Sequence, residues 1–513
     1  MKSIIKKITG AAIAGAALIS LAGCNDYLDV TQEQTLPGDS VDYTDVADMY
    51  GPVSACYASV RSSMMHWVIN LLTVIRDGDV WSGRVDDQGD LVNIGNHYVY
   101  NNSTFWGIGE SWTQFYQVVL HCNEALENLN GYYEYCTTDA LKKQCLAYQG
   151  EVRIIRALAY YRLVQFFGAV PIRFTNDVDD YNRYSREAVY EYILQDLEFA
   201  MNNTPKLRPN QMEHVGAYSA YTAEMLAAKV YLNLAGFTGN DAYYDNVQTL
   251  TQDIIDHGGF SLYPDYYNLW KLDGRLCDES IMECQVTDFG LGEGDYIGVD
   301  QFFNCAGPGI TTTTDETDPT RRYIGGWNFV GYFDSFYNWA IARGETVRAT
   351  TSFLLGGEWT PSGDYVYPNG NPQNTSNWNG KWYLPINEIL VGRTDYGTGN
   401  NVRMLRYAEV LLMNAEAKVR RGQNGDAPFN EVRSRANMPT ITGVTINDIL
   451  DERRMELCCE WGERYADLIR TGLAESVLGP EGWSPDKTYF PVPPTQIDLA
   501  PALRNEPYTS LNQ

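Results

Sequence analysis

The sequence predicts a mainly α protein: a superhelix of tetratricopeptide-like helical hairpins carrying an irregular, loop-rich subdomain. Three observations predict it. Long segments of the first half repeat apolar residues at helical spacing, with short polar turns between them and no strand-like alternation. From about 271 to 400 the texture changes to Gly, Asn, Thr and aromatic residues, a stretch too long for one loop. Helical periodicity then returns from about 404 to 470.

Taken in order, the spacing predicts helices at about 42–66, 104–130, 138–167, 185–203, 215–236 and 241–257. Trp112, Phe115 and Tyr116 share one helical face and read as core, as do Tyr160, Tyr161, Tyr221 and Tyr231. Tyr221, Met225, Ala228 and Leu232 form an apolar stripe, with small Ala223 and Ala227 allowing a neighbouring helix to approach closely. Gly258-Gly259 stops the sixth helix. Gly290 to Asp295 superficially resembles a phosphate loop but lacks its Lys and its strand-turn-helix context, so it reads as an ordinary loop. Helices at about 404–421, 426–436 and 446–470 follow. The last carries Glu460/Arg464, Arg464/Asp467 and Asp467/Arg470 at pairing distance, and the like-charge pair Glu456/Glu460, which predicts a partner on another helix. These charges read as a structural ion-pair lattice rather than as an acid and base.

The first residues have their own logic. Lys2, Lys6 and Lys7 precede an uncharged Ile8–Leu21 run, shorter than the roughly 20 residues of a membrane span. This is a signal peptide, and Leu21-Ala22-Gly23-Cys24 resembles a bacterial lipobox, which implies cleavage before Cys24 and a lipid on it. The expected organisation is a signal peptide (1–23), a lipidated leash (24–40), an N-terminal helical region (41–270), the irregular subdomain (271–400) and a C-terminal helical region (401–513).

The 513 residues hold 38 Lys plus Arg against 65 Asp plus Glu, a net charge of −27. Losing the three leader lysines, with no acid, takes it to −30. So acidic a chain is no electrostatic nucleic-acid binder, and it touches a membrane only through its lipid. Nine cysteines beyond Cys24 show no zinc spacing, and the five histidines show no metal-binding pairing. Asp315, Glu316 and Asp318 are of the type calcium takes, but without EF-hand spacing they read as a solvated acidic loop, and no cofactor is expected.

Several segments resemble one family. They are Cys24-Asn25-Asp26-Tyr27-Leu28-Asp29-Val30, Ser111 to Tyr116 with Cys122-Asn123-Glu124, and Glu151 to Tyr161 with Phe167-Gly168-Ala169-Val170-Pro171. Further on come Ala223 to Leu234 with Gly259 to Leu262, Arg406 to Ala417, Glu452 to Leu457, and Asp467 to Arg470. Together they resemble the SusD-like (RagB/SusD) outer-membrane lipoproteins of Bacteroidota. The resemblance implies a SusD-like fold, a lipid anchor at the cell surface and no enzymatic activity. It also implies capture of oligosaccharides or polysaccharides and their delivery to a SusC-like TonB-dependent transporter.

A sugar ring offers an apolar C–H face and a hydroxyl edge, so aromatic side chains beside Asn, Asp and Arg are the expected binders. Two regions carry both. One runs from Arg76, Asp79 and Trp81 through Tyr98, Tyr100 and Asn101 to Trp106. The other is the irregular subdomain, with Tyr296, Trp327, Phe329, Tyr332, Trp339, Trp359, Trp378 and Trp382. Trp81, Trp106 and Trp327 stand out because Gly, Asn and charged residues surround them. Two alternatives share these features: the same fold carrying peptides, and a glycoside hydrolase, which needs two carboxylates about 5 to 9.5 Å apart.

Overall fold

The computed structural model describes residues 41–84, 87–101, 105–177, 180–286, 303–308, 324–368, 377–389 and 398–512. Cys24, Tyr296, the Gly290–Asp295 loop and the acidic cluster at 315–318 lie outside them. The chain divides into Met1–Val46 and Ala47–Gln513, and the features described below belong to the second unit.

The frame is a run of helices. It comprises α1 (Gly51–Ser59), α2 (Trp67–Val74), α3 (Gly89–His97), α4 (Trp106–Tyr135), α5 (Asp139–Phe167), α6 (Arg186–Asn203), α7 (Ala220–Thr238) and α8 (Tyr243–His257). Consecutive pairs from α4 to α8 are in contact, so the apolar stripe of each helix is buried by its neighbour. Local chemistry sets the boundaries. The Thr138 hydroxyl accepts from Leu141 N at 3.2 Å to cap α5, and Ser185 does the same for α6 through Ala188 N at 3.3 Å. Tyr160, Tyr161 and Tyr221 are buried as their periodicity predicts, as are Trp112, Phe115 and Tyr116.

Two later helices, α9 (Asp334–Ala342) and α10 (Val347–Ser352), lie within the irregular segment. The chain then builds α11 (Tyr407–Arg420), α12 (Asp426–Arg435), α13 (Ile446–Glu456), α14 (Glu463–Arg470), α15 (Ala474–Leu478) and α16 (Pro494–Leu499). Helix α11 packs on α8 and extends the stack. Among the described residues there are three two-stranded antiparallel ladders; the first two stitch the irregular segment to the helical regions and the third lies within it. These are β1 (Val80–Ser82) with β3 (Val330–Tyr332), β2 (Ser280–Cys284) with β6 (Val402–Arg406), and β4 (Phe353–Leu355) with β5 (Asn377–Asn379).

Two expected helices are interrupted. The first, at about 42–66, is α1 running into a π turn (Val60–Met64); the chain breaks at His66 and restarts as α2, a fully buried helix that periodicity does not reveal. The second, 446–470, is broken between α13 and α14 by Cys459, Trp461 and Gly462 at positive φ. Gly462 lies so close to α2 that a Cβ there would sit 2.7 Å from the Thr73 carbonyl oxygen, so the break is where the two elements meet.

The charges of the last predicted helix are buried. Arg406 pairs with Glu279, with Glu456 at 3.0 Å and with Glu460 at 2.8 Å. Arg348 pairs with Glu345 and with Glu452 at 2.7 Å, and Arg435 bridges Glu279 and Glu456. Farther along, Arg470 holds Glu416 at 2.6 Å and Asp467 at 2.8 Å. Glu456 and Glu460 thus tolerate each other through Arg406, while the break in the helix sends Arg464 to Asp79 rather than to Glu460. Burial alone raises the carboxyl pKa of Glu456 and Asp467, but the guanidinium groups around each outweigh it and hold both at about 2.

Candidate functional site

One aromatic cluster gathers at the N-terminal ends of α2 and α4. Trp67, the first residue of α2, is its hub and is 9% exposed. Its ring meets Trp106 edge-on at 5.8 Å and Trp327 edge-on at 5.9 Å, and stacks on Phe329 at 5.6 Å. His66 lies 5.6 Å from Trp106, ring edge to face. Trp106 is 45% exposed and Trp327 is partly buried, so two indoles flank a covered third.

Each member is positioned by backbone chemistry. The Nδ1 of His66 accepts from Val68 N at 3.3 Å and caps α2. Burial lowers the His66 pKa, against the pull of Glu110, so the ring is neutral near pH 7. Gly107 lets α4 start against α2, since a Cβ would sit 2.7 Å from both Val68 Cγ2 and the Phe105 ring. The Trp327 segment is pinned by Trp327 N to Asn304 O at 2.7 Å and Phe329 N to Cys305 O at 3.1 Å. Asn328, at φ 61°, turns its Oδ1 to the Trp378 indole N–H at 2.6 Å. Asn304, almost fully buried beside Trp327, has a side-chain Nδ2 with no hydrogen-bond partner among the described residues. Asn101 is exposed just before α4, and its carbonyl accepts from Phe105 N at 3.0 Å.

Of the residues expected at a site, Trp106 and Trp327 therefore meet through Trp67, with Asn101 on the adjoining turn. The others go elsewhere. Trp81 is fully buried, against the expectation from its polar neighbours. It pairs with Gly331 across β1–β3, and a Cβ on Gly331 would come within 2.5 Å of its ring, so the missing side chain makes room for the indole. Tyr332, in the same ladder, is also fully buried. Asp79 is buried against Arg454 at 2.5 Å. Its neighbour Asp77 is pushed up to about 7 by burial and by Asp79. Trp339 stacks on Phe336 at 5.6 Å and lies 4.3 Å from the Arg454 guanidinium.

Arg76, Tyr98 and Tyr100 form a separate knot with the C-terminal segment. The Arg76 guanidinium lies over Phe490 at 4.0 Å and Tyr465 at 4.4 Å, and borders a small cavity. The Tyr98 hydroxyl donates to Arg76 O at 3.1 Å, and that of Tyr100 to Lys487 O at 2.8 Å. All three stabilise tertiary contacts rather than face solvent. Sequence reasoning missed His66, Trp67 and Asn304. The signal for the first two was available: an aromatic pair, His66-Trp67, sits at the head of the mostly apolar run 67–75.

Comparisons with known proteins agree with this architecture. Residues 26–232 match a family model described as SusD-like, starch-binding associating with outer membrane, and residues 299–489 match the SusD family model. The two spans together take in most of the chain, which belongs to the SusD/RagB family. SusD-like protein P2 of Formosa agariphila is 25% identical over 92% of each chain. Among solved structures, a laminarin binding SusD-like protein superposes with a TM-score of 0.75 at 24% identity, over 89% of this chain and 98% of its own. Surface glycan-binding protein A from Bacteroides thetaiotaomicron, in complex with laminarihexaose, superposes with 0.73 at 22% identity, over 89% and 98%. Among the described residues no helix is long and apolar enough to cross a membrane.

Proposed function

We propose that this chain is a cell-surface glycan-binding lipoprotein whose ligand stacks on the Trp106 and Trp327 faces. Cys24 carries the lipid that tethers it to the outer membrane, and the captured oligosaccharide passes to a SusC-like TonB-dependent transporter. The chain binds and does not hydrolyse. The observation that carries the reading is the cluster itself: two partly exposed indoles held rigidly on either side of Trp67, with Asn101 and Glu110 nearby. Rigid aromatic faces take the C–H side of a sugar at little entropic cost, and amide and carboxylate groups take its hydroxyls. The laminarihexaose and starch named for relatives make β-glucan and α-glucan the first ligands to try.

Affinity electrophoresis through gels containing laminarin, amylopectin, xylan or galactomannan tests it. Retardation of the native chain in at least one gel, lost in Trp106→Ala, is the expected result. Release of reducing ends would turn the reading to a hydrolase, and thermal stabilisation by a peptide pool but by no glycan would turn it to peptide cargo.

A further inference from the structure

Of the twelve tryptophans, two are exposed: Trp106, in the cluster above, and Trp359, at 51%. Exposure alone means little for one apolar residue, but the frame that holds Trp359 is unusually firm. It sits on a hairpin closed by Gly357 N to Val366 O at 2.9 Å, Val366 N to Glu358 O at 2.9 Å and Thr360 N to Asp364 O at 2.8 Å. Gly357 and Gly363, both at positive φ, make the bends.

Side chains alternate across the hairpin. Thr360, Asp364 and Val366 face inward and are buried, and the Tyr383 hydroxyl ties the first two together, at 3.0 Å from Thr360 Oγ1 and 2.7 Å from Asp364 Oδ2. Trp359 and Tyr365 oppose each other on the outer face, ring centroids 5.1 Å apart and planes at 56°. The result is an aromatic pair with a hydroxyl at its edge, presented to solvent on a braced support.

The hairpin is also joined to the first cluster. Ile324 N donates to Tyr365 O at 3.3 Å, and Ile324 is three residues before Trp327. Three residues span at most about 10 Å, so the Trp327 backbone lies within roughly 15 Å of that of Tyr365. Adding the width of the hairpin keeps the Trp359 backbone within roughly 20 Å of that of Trp327. A single oligosaccharide chain covers such a span and a monosaccharide does not.

We propose that Trp359 and Tyr365 form a second sugar-stacking platform that engages a further stretch of the same polysaccharide held at Trp106 and Trp327. This rests on the glycan-binding reading above. Two platforms this close raise the effective concentration of the second contact once the first has formed, so the gain appears with long ligands only.

The test uses the full chain, the polysaccharide from the four-gel panel that retards it, and a trisaccharide of the same polymer measured by calorimetry. Trp359→Ala is expected to weaken polymer affinity about tenfold while leaving trisaccharide affinity within about twofold. Trp359→Phe, which keeps a ring face, is expected to recover most of the loss, and Trp106→Ala to weaken both ligands. Unchanged polymer affinity in Trp359→Ala overturns the second platform while leaving the first intact. Equal loss of polymer and trisaccharide also overturns it, by making Trp359 part of the first site. A native chain retarded by none of the four polysaccharides sinks the glycan reading itself, a result distinct from either.

Discussion

Two regions invite comparison because each concentrates the residue types that usually signal function. Beneath α11 to α14, arginines and carboxylates crowd together, yet Arg348, Arg406, Glu452 and Glu456 are all buried and matched with one another. At the ends of α2 and α4, tryptophans crowd together, and there two remain partly open to solvent. The difference is one of solvation. A buried carboxylate needs a partner at each oxygen, and oxygens already held by arginines have little left for a ligand. An indole tolerates water on one face and keeps that face for a sugar.

The sharpest way to break this comparison is to unbalance the lattice. Arg406→Met strands Glu279, Glu456 and Glu460 together in the core and is expected to cost about 3–5 kcal/mol in urea unfolding. Gly331→Ala is expected to come next, at about 1–3 kcal/mol, because the added methyl meets the buried Trp81 ring.

Acid gives a second route to the lattice. Glu456 and Asp467 titrate at about 2 in the folded chain against 4.5 and 3.8 for free side chains. Their stabilisation is complete above those free values and drains away as pH falls from 4.5 through 2, so unfolding midpoints recorded across that window should drop steadily. A flat profile would mean that these carboxylates are not held by their arginines.

At the aromatic cluster the expected pattern reverses. Trp106→Ala should weaken glycan binding by about 1–2 kcal/mol in calorimetry, with the melting temperature nearly unchanged, since almost half of the side chain is already in water. Trp67→Ala should lose binding and stability together, because the hub is buried. The smallest effect is expected at the Arg76 knot. Tyr98→Phe removes one buried hydrogen bond, costs about 1 kcal/mol and leaves binding untouched.

Much of the frame was legible in the chain. The boundaries of α5 and α6 fall within a residue of those read from periodicity, since α5 starts at Asp139 behind Thr138 and α6 at Arg186 behind Ser185. The break at 457–462 was not legible, because continuous helical charge spacing runs across it. It arises from contact with α2, which no local pattern records. The site was half legible for the same reason. Trp81 and Trp106 stand in similar polar company, and only the pairing of β1 with a glycine of β3, some 250 positions away, sends one into the core and leaves the other out.

By itself, then, the sequence determined the helical hairpins, the acidic balance and a shortlist of aromatics, because each depends on composition or on residues close along the chain. Tertiary structure decided which tryptophans see solvent, which carboxylates find arginines and which loops meet. Those depend on long-range pairings such as Trp81 with Gly331 and Ile324 with Tyr365, where the packing partner sets the exposure.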